Sequence, residues 1–302
     1  MTDVLIIGGG MAGLTAALYC LRAGRTVMVL EKETFGGQIT SSPRVDNYPG
    51  LPGVSGNALA DALLGQVMDL GAQIEMEEID ALRRTENGFI AAAGKKEYAG
   101  LAVILASGAR YRMLGLPREQ ELTGRGISYC ALCDGDFYRG QDVAVAGGGN
   151  TAAQAAVYLS DLCRNVYVIQ EFDHFTCDER DECAMKERAN IRLMPGYRIS
   201  AFRGEDRLTG LILREQDSGR EEAIDAAGLF VCVGRVPDTE AFRDLIRCDE
   251  QGFFIADEAC RTSMPGVWAA GDCRQKAVRQ LTTAAADGTV AAVQACRWLA
   301  EQ

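Results

Sequence analysis

The chain has 302 residues, 48% hydrophobic and 24% charged, enough for two folded domains and unlike a disordered, collagenous or coiled-coil protein. Its 42 acidic side chains outnumber 31 basic ones for a net charge of −11, which argues against a nucleic-acid or anionic-membrane partner. Eleven cysteines, an odd number scattered through a chain too large to need a disulfide scaffold, point to a reducing cytoplasm.

The uncharged run Val4 to Leu21 resembles a membrane span or export signal in composition, yet it carries four glycines, lacks a basic leader and follows Asp3. It reads instead as strand, turn and helix. No export or lipidation motif is visible, so the chain is expected to stay where it is made. Within the run, Gly8 permits a tight turn, Gly10 lets backbone N–H groups approach a pyrophosphate, and Gly13 lets the helix Leu14 to Arg22 pack on the strand. The helix N-terminus then faces the phosphates. A second strand, Thr26 to Leu30, ends at Glu31, 18 residues beyond Gly13 and close to the spacing of about 20 expected of a carboxylate that binds ribose hydroxyls. The first copy of the pattern should hold an adenine dinucleotide.

The two-residue spacing of Cys130 and Cys133 lets both sulfurs close one small disulfide ring. Only a thiolate attacks in such chemistry, so a proton carrier is needed, and with one histidine in the chain a carboxyl is the natural candidate. Such pairs also begin zinc sites, but no second close pair follows: Cys177 and Cys183 are separated by five residues and His174 is isolated. No metal is therefore expected. Cys177 and Cys183 read as free thiols on a helical segment, His174 as a surface residue, and most other cysteines, such as Cys20 and Cys232, as small buried hydrophobes.

The strand-turn-helix pattern returns 139 residues on, with Val143 matching Val4 and Gly147-x-Gly149-x-x-Ala152 matching the first turn. A helix, Ala153 to Leu162, and a strand, Val166 to Ile169, follow as before. The predicted fold class is α/β, with two Rossmann-like nucleotide-binding units. Near the C-terminus, Gly266 to Asp272 reads as a short apolar strand ending in a glycine turn and an acid, followed by an Ala-rich helix from Thr282 to Leu299. Such an acid can serve a ribityl chain or the pyrimidine edge of a flavin.

With these pieces in place the chain, from residue 4 to about residue 300, resembles the low-molecular-weight thioredoxin reductases. The residues that carry the resemblance are Gly36-Gly37-Gln38, Asn47-Tyr-Pro-Gly50, Ala106 to Arg110, Cys130-Ala-Leu-Cys133-Asp134, Gly147 to Thr151, Gly234, Gly271-Asp272 and Arg279-Gln280. It implies an FAD domain made of residues 1–113 and 241–302, with a three-layer pyridine-nucleotide-type domain, 114–240, inserted. It further implies a homodimer with one FAD per subunit and a thioredoxin-like acceptor. The flavin contacts it implies fall on Gly8, Gly10, Gly13, Glu31, Gly37, Gln38, Asn47, Gly271, Asp272, Arg279 and Gln280. It places Cys133 next to the flavin, makes Cys130 the sulfur that exchanges with the partner disulfide, and makes Asp134 the acid.

One stretch departs from the family. NADPH-dependent relatives follow the second strand of the inserted domain with His-Arg-Arg-Asp-x-x-Arg, whose arginines grip the 2′-phosphate. Here the stretch is Gln170-Glu-Phe-Asp-His-Phe-Thr176, without an arginine. Glu171 sets a carboxylate against the phosphate, and two negative groups about 4 Å apart at a surface-like dielectric repel by roughly 4 kcal/mol. NADPH is therefore not the expected donor. Either Glu171 binds the adenosine ribose, so that Gly147, Gly149 and Ala152 cradle NADH, or the turn is kept only for packing and electrons arrive from a protein such as ferredoxin. Phe172 and Phe175 make the ribose surroundings apolar, and the sequence leans to the protein donor. A flavin-bound redox sensor without turnover is the reading from another class, and the retained Asp134 speaks for an enzyme.

Overall fold

The computed structural model describes residues 1–42 and 44–302. The first pass of the chain lays down β1 (Thr2–Ile7), α1 (Met11–Arg22), β2 (Val27–Glu31), α2 (Gly56–Asp69), β3 (Gln73–Met76), β4 (Ala81–Thr85), β5 (Gly88–Ala93), β6 (Lys96–Leu105) and β7 (Ala109–Tyr111). A middle section holds α3 (Glu119–Leu122), β8 (Ile127–Ser128), α4 (Ala131–Asp134), β9 (Asp142–Ala146), α5 (Asn150–Ser160), β10 (Asn165–Gln170), α6 (Glu179–Lys186), β11 (Ile191–Pro195), β12 (Tyr197–Arg203), β13 (Gly210–Glu215), β14 (Glu221–Asp225) and β15 (Gly228–Val231). The return pass adds β16 (Arg235–Pro237), β17 (Val267–Ala269) and α7 (Leu281–Ala300).

The chain divides into two compact units, Met1–Arg110 with Val236–Gln302, and Tyr111–Arg235. The expected crossings were 113/114 and 240/241. The two passes run as the short β7–β16 ribbon, where neither hydropathy nor turn residues mark a change in the sequence.

In the first unit the sheet order is β3-β2-β1-β6-β5-β4. Ten-residue β6 serves two partners in succession, antiparallel β5 from Lys96 to Gly100 and parallel β17 from Val103 to Leu105. Because side chains alternate across a strand, Val4 and Ile6 enter one core with α1, α2 and α7, while Leu5 and Ile7 enter another with Phe89, Phe242 and Phe254. Burial on both faces is why β1 reads as an unbroken apolar run.

The second unit repeats the plan with a parallel sheet, β11-β10-β9-β15-β8. Val143 and Val145 pack against α5, whereas Ala144 and Ala146 face the antiparallel meander β12-β13-β14 through Leu211, Leu213 and Ile224. Both units are thus three-layered, the Rossmann-like α/β fold that the repeat predicts. Among the described residues, no helix is long and apolar enough to cross a membrane.

Candidate functional site

The first glycine turn has two kinds of glycine. Gly8 has φ +108°, and a Cβ there would lie 2.2 Å from the Ala106 carbonyl oxygen; a Cβ on Gly13 would lie 1.8 Å from that of Gly8. Strand-helix packing alone demands both. Gly10, by contrast, would meet nothing nearer than the Gly36 carbonyl oxygen at 3.8 Å. A side chain there would fill the space in front of the α1 N-terminus, the cradle a pyrophosphate needs, so the residues fit the FAD that the fold implies.

Of the other expected flavin residues, Glu31, Gly37 and Gly271 border this turn and the start of α1. Glu31, buried at the end of β2, accepts hydrogen bonds from the Gly9 N–H (2.6 Å) and the Glu33 N–H (2.8 Å), which leaves further lone pairs for ribose hydroxyls. Gly37 sits against the Gly10 backbone, Gln38 donates to the Ala109 carbonyl, and Gly271, at φ +81°, meets the Ala12 side chain in the first turn of α1. Asn47 donates to Gln280 at 3.1 Å although 233 residues separate them, and Gln280 caps α7 in a capping box with Thr283. Arg279 lies over the Phe253 ring and donates to the Asp272 carbonyl, so it braces the loop that presents Asp272.

Asp287 is a residue that sequence reasoning missed. From α7 it accepts the Gly271 N–H at 3.0 Å and forms ion pairs with Arg274 and Lys276, all three side chains largely buried. The ion triad fixes the Gly271-Asp272 loop. No local motif marks it, because its partners come from another segment of the chain.

In the second unit Cys130 and Cys133 are joined in a disulfide with Cα atoms 5.3 Å apart. Cys130 is the half-buried N-cap of α4, and its carbonyl accepts the Cys133 and Asp134 N–H groups, so the helical turn itself sets the sulfur spacing. Cys133 is exposed, flanked by exposed Leu132 and Phe137. Asp134 lies in the same turn. Burial raises its pKa, and a hydrogen bond from Ser128 (Oγ to Oδ2, 2.6 Å) opposes the rise. The Ser128 hydroxyl oxygen also accepts the Cys130 N–H at 3.0 Å, linking the redox turn to its carboxyl. Ser128 is a second missed residue, delivered by the pairing of β8 with β15.

The second glycine turn repeats the first in register. Gly147 N–H donates to the Ile169 carbonyl as Gly8 N–H does to that of Leu30. Gly147 has φ +128° and a Cβ there would lie 2.4 Å from the Cys232 carbonyl oxygen, while Ala152 is fully buried. Gly149 is the counterpart of Gly10: a Cβ there would meet only Thr176 Oγ1, at 3.8 Å. The strand register makes Gln170, not Glu171, the counterpart of Glu31. Gln170 is buried against Gly148, whereas Glu171 is exposed and accepts a hydrogen bond from Gln216. The strand-end position equivalent to that of Glu31 is thus held by Gln170, one residue before Glu171. Phe172 is exposed, but Phe175 packs into the core beside α5, so the apolar ribose surroundings expected of the pair do not form as such. His174 is exposed beside Asp173, and of the two expected helical thiols only Cys183 lies in α6, Cys177 preceding it.

Comparison with known proteins agrees with this geometry. The family model for pyridine nucleotide-disulphide oxidoreductases matches residues 2–288. The chain is 39% identical over 306 residues to a thioredoxin reductase from Mycolicibacterium smegmatis, covering 99% of this chain and 97% of that one. A thioredoxin reductase structure from Streptococcus pyogenes superposes with a TM-score of 0.95 at 33% identity, covering 100% of this chain and 99% of the other. A ferredoxin-flavin thioredoxin reductase from Clostridium acetobutylicum matches at 26% identity with a TM-score of 0.55, over 99% and 98% of the two chains. The chain belongs to the pyridine nucleotide-disulphide oxidoreductase family and, within it, groups with the low-molecular-weight thioredoxin reductases.

Proposed function

We propose that the protein reduces the disulfide of a thioredoxin-like acceptor through Cys130 and Cys133, with FAD as its cofactor and NADH, not NADPH, as its donor. The observation that carries the donor assignment is Gly149. Packing explains Gly147 and Ala152, as it explains Gly8 and Gly13, but packing does not require a glycine at 149. The second turn keeps open the same space that Gly10 keeps open in the first. No arginine stands at 171, 172 or 176 to hold a 2′-phosphate, and Glu171 would repel one.

Bound FAD supplies two-electron transfer between the donor and the disulfide. The chain's own groups do the rest. Following the family resemblance, Cys133 faces the flavin and the Cys130 thiolate attacks the acceptor disulfide to form a mixed disulfide. Cys133 then displaces the acceptor, restoring the Cys130–Cys133 bond and leaving the acceptor as a dithiol. Asp134, its pKa raised by burial, gives a proton to the departing thiolate. Exposed Leu132 and Phe137 offer the acceptor an apolar contact beside the disulfide. The resemblance adds a homodimer.

A protein donor such as ferredoxin is the second reading, favoured by the missing arginines and by the likeness to the ferredoxin-flavin enzyme. Gly149→Val separates the two. It should abolish NADH-driven reduction of a thioredoxin while FAD stays bound and dithionite-reduced enzyme still reduces the acceptor. Full NADH-driven activity in this variant, or inertness of the parent toward NADH, would overturn the NADH assignment.

A further inference from the structure

Helices α1 and α7 of the first unit touch backbone to backbone. A Cβ on Gly288 would lie 2.2 Å from the Ala12 carbonyl oxygen and 3.1 Å from the Ala16 nitrogen. Ala12, Ala16 and Cys20 form one ridge of α1 at four-residue intervals, and Gly288, Ala292 and Cys296 form the matching ridge of α7. The same steps along both ridges bring Cys20 and Cys296 to neighbouring positions, Cys20 inside the core that α1 and α7 share and Cys296 packed against it. Arg25 closes this end by donating to the Cys296 carbonyl at 3.5 Å. Cys20 is fully buried, whereas Cys296 is partly open to solvent.

We propose that Cys296 and Cys20 form a second redox-active dithiol, remote in sequence from the Cys-x-x-Cys turn and reactive toward hydroperoxides. The arrangement is that of a thiol pair in which an accessible sulfur reacts first and a buried neighbour resolves it. The neighbouring Cys20 thiol and the nearby Arg25 charge hold the Cys296 thiol below its ordinary pKa, against desolvation and the opposing charge of Asp3. Burial pushes Cys163, Cys232, Cys260 and Cys273 the other way. Only a small oxidant suits the site, since the partner sulfur is inaccessible to a protein disulfide.

In the first step the Cys296 thiolate attacks the terminal peroxide oxygen, the O–O bond breaks, and the alkoxide takes a proton and leaves as an alcohol. Cys296 becomes a sulfenic acid. The Cys20 sulfur then attacks that of Cys296; the S–S bond forms, the S–O bond breaks, and the hydroxyl departs with the Cys20 proton as water. Two thiols lose two electrons, and one hydroperoxide is reduced to alcohol and water.

Peptide mapping tests this on the FAD-loaded protein, reduced with a phosphine, exposed to hydrogen peroxide and blocked with an alkylating agent. Trypsin releases residues 1–22 and 280–297, each with one cysteine. The expected product is these two peptides cross-linked within one chain. It should be absent from Cys296→Ser, and in Cys20→Ser the sulfenic acid of Cys296 should be trapped by dimedone. Should Cys20→Ser fail to fold, the parent map and Cys296→Ser decide the matter alone. Full alkylation of Cys296 after peroxide has oxidised Cys130 and Cys133, or linkage of Cys296 to another cysteine or another chain, would overturn the proposal.

Discussion

Replacing Ser128 by alanine removes one hydroxyl that serves both the Cys130 N–H and the Asp134 carboxyl. A hydrogen bond to a charged group contributes about 1.5–3 kcal/mol, and the partial exposure of Asp134 favours the lower end. At about 1.4 kcal/mol per factor of ten, the loss changes the protonation equilibrium of Asp134 by about tenfold. The sign follows from which form is stabilised. The Ser128 hydroxyl donates to ionised Asp134 and so opposes the rise that burial causes; without it the pKa climbs further. If protonated Asp134 supplies the proton to the departing thiolate, the fall in rate at high pH must move upward by the same amount. The assay is single-turnover reduction of an oxidised thioredoxin by enzyme reduced beforehand with dithionite, followed across the pH range. On the falling limb Ser128→Ala should be about tenfold faster than the parent, its protonated fraction there being about ten times larger, with equal rates on the plateau. Asp134→Asn should be slow throughout and lack the limb. An unmoved limb in Ser128→Ala, or one displaced to lower pH, would refute the reasoning.

Cys130→Ser and Cys133→Ser should each abolish thioredoxin reduction while retaining FAD, measured as released flavin per chain; undiminished turnover in either would assign the chemistry to another pair. Gly8→Ala should lower the melting temperature and the FAD content together, because φ +108° and the 2.2 Å approach to the Ala106 carbonyl leave no room for a Cβ. The combined variant Glu171→Arg, Phe172→Arg and Thr176→Arg should gain NADPH-driven activity by tenfold or more, since removing one repulsion of roughly 4 kcal/mol already exceeds the 1.4 kcal/mol of a tenfold change. Unchanged discrimination between NADH and NADPH would show that residues 171–176 do not govern donor choice.

The glycine turns were legible in the sequence because everything they need is local: a strand, a tight turn and a helix within some twenty residues. The same holds for Glu31 and for Cys130-x-x-Cys133. Glu171 shows where local reading stops. An acid beside the end of a strand looks equivalent to Glu31, but the 139-residue offset of the repeat, with which the pairing of β9 and β10 agrees, gives that position to Gln170. Ser128 and Asp287 were invisible for a related reason. Each is a common residue type whose role exists only after long-range packing, of β8 on β15 for one and of α7 against the Gly271 loop for the other. Cys20 reads correctly as a buried residue of α1, yet nothing near it in sequence announces Cys296.

The donor assignment is the central claim, and bleaching of the bound flavin tests it most directly. Oxidised enzyme is mixed anaerobically with NADH, with NADPH and with reduced ferredoxin in parallel, and absorbance is followed near 450 nm, the usual region of an oxidised flavin. The account predicts rapid bleaching by NADH and none above a buffer blank by NADPH over minutes. Rapid bleaching by NADPH, or a response to ferredoxin alone, would contradict it.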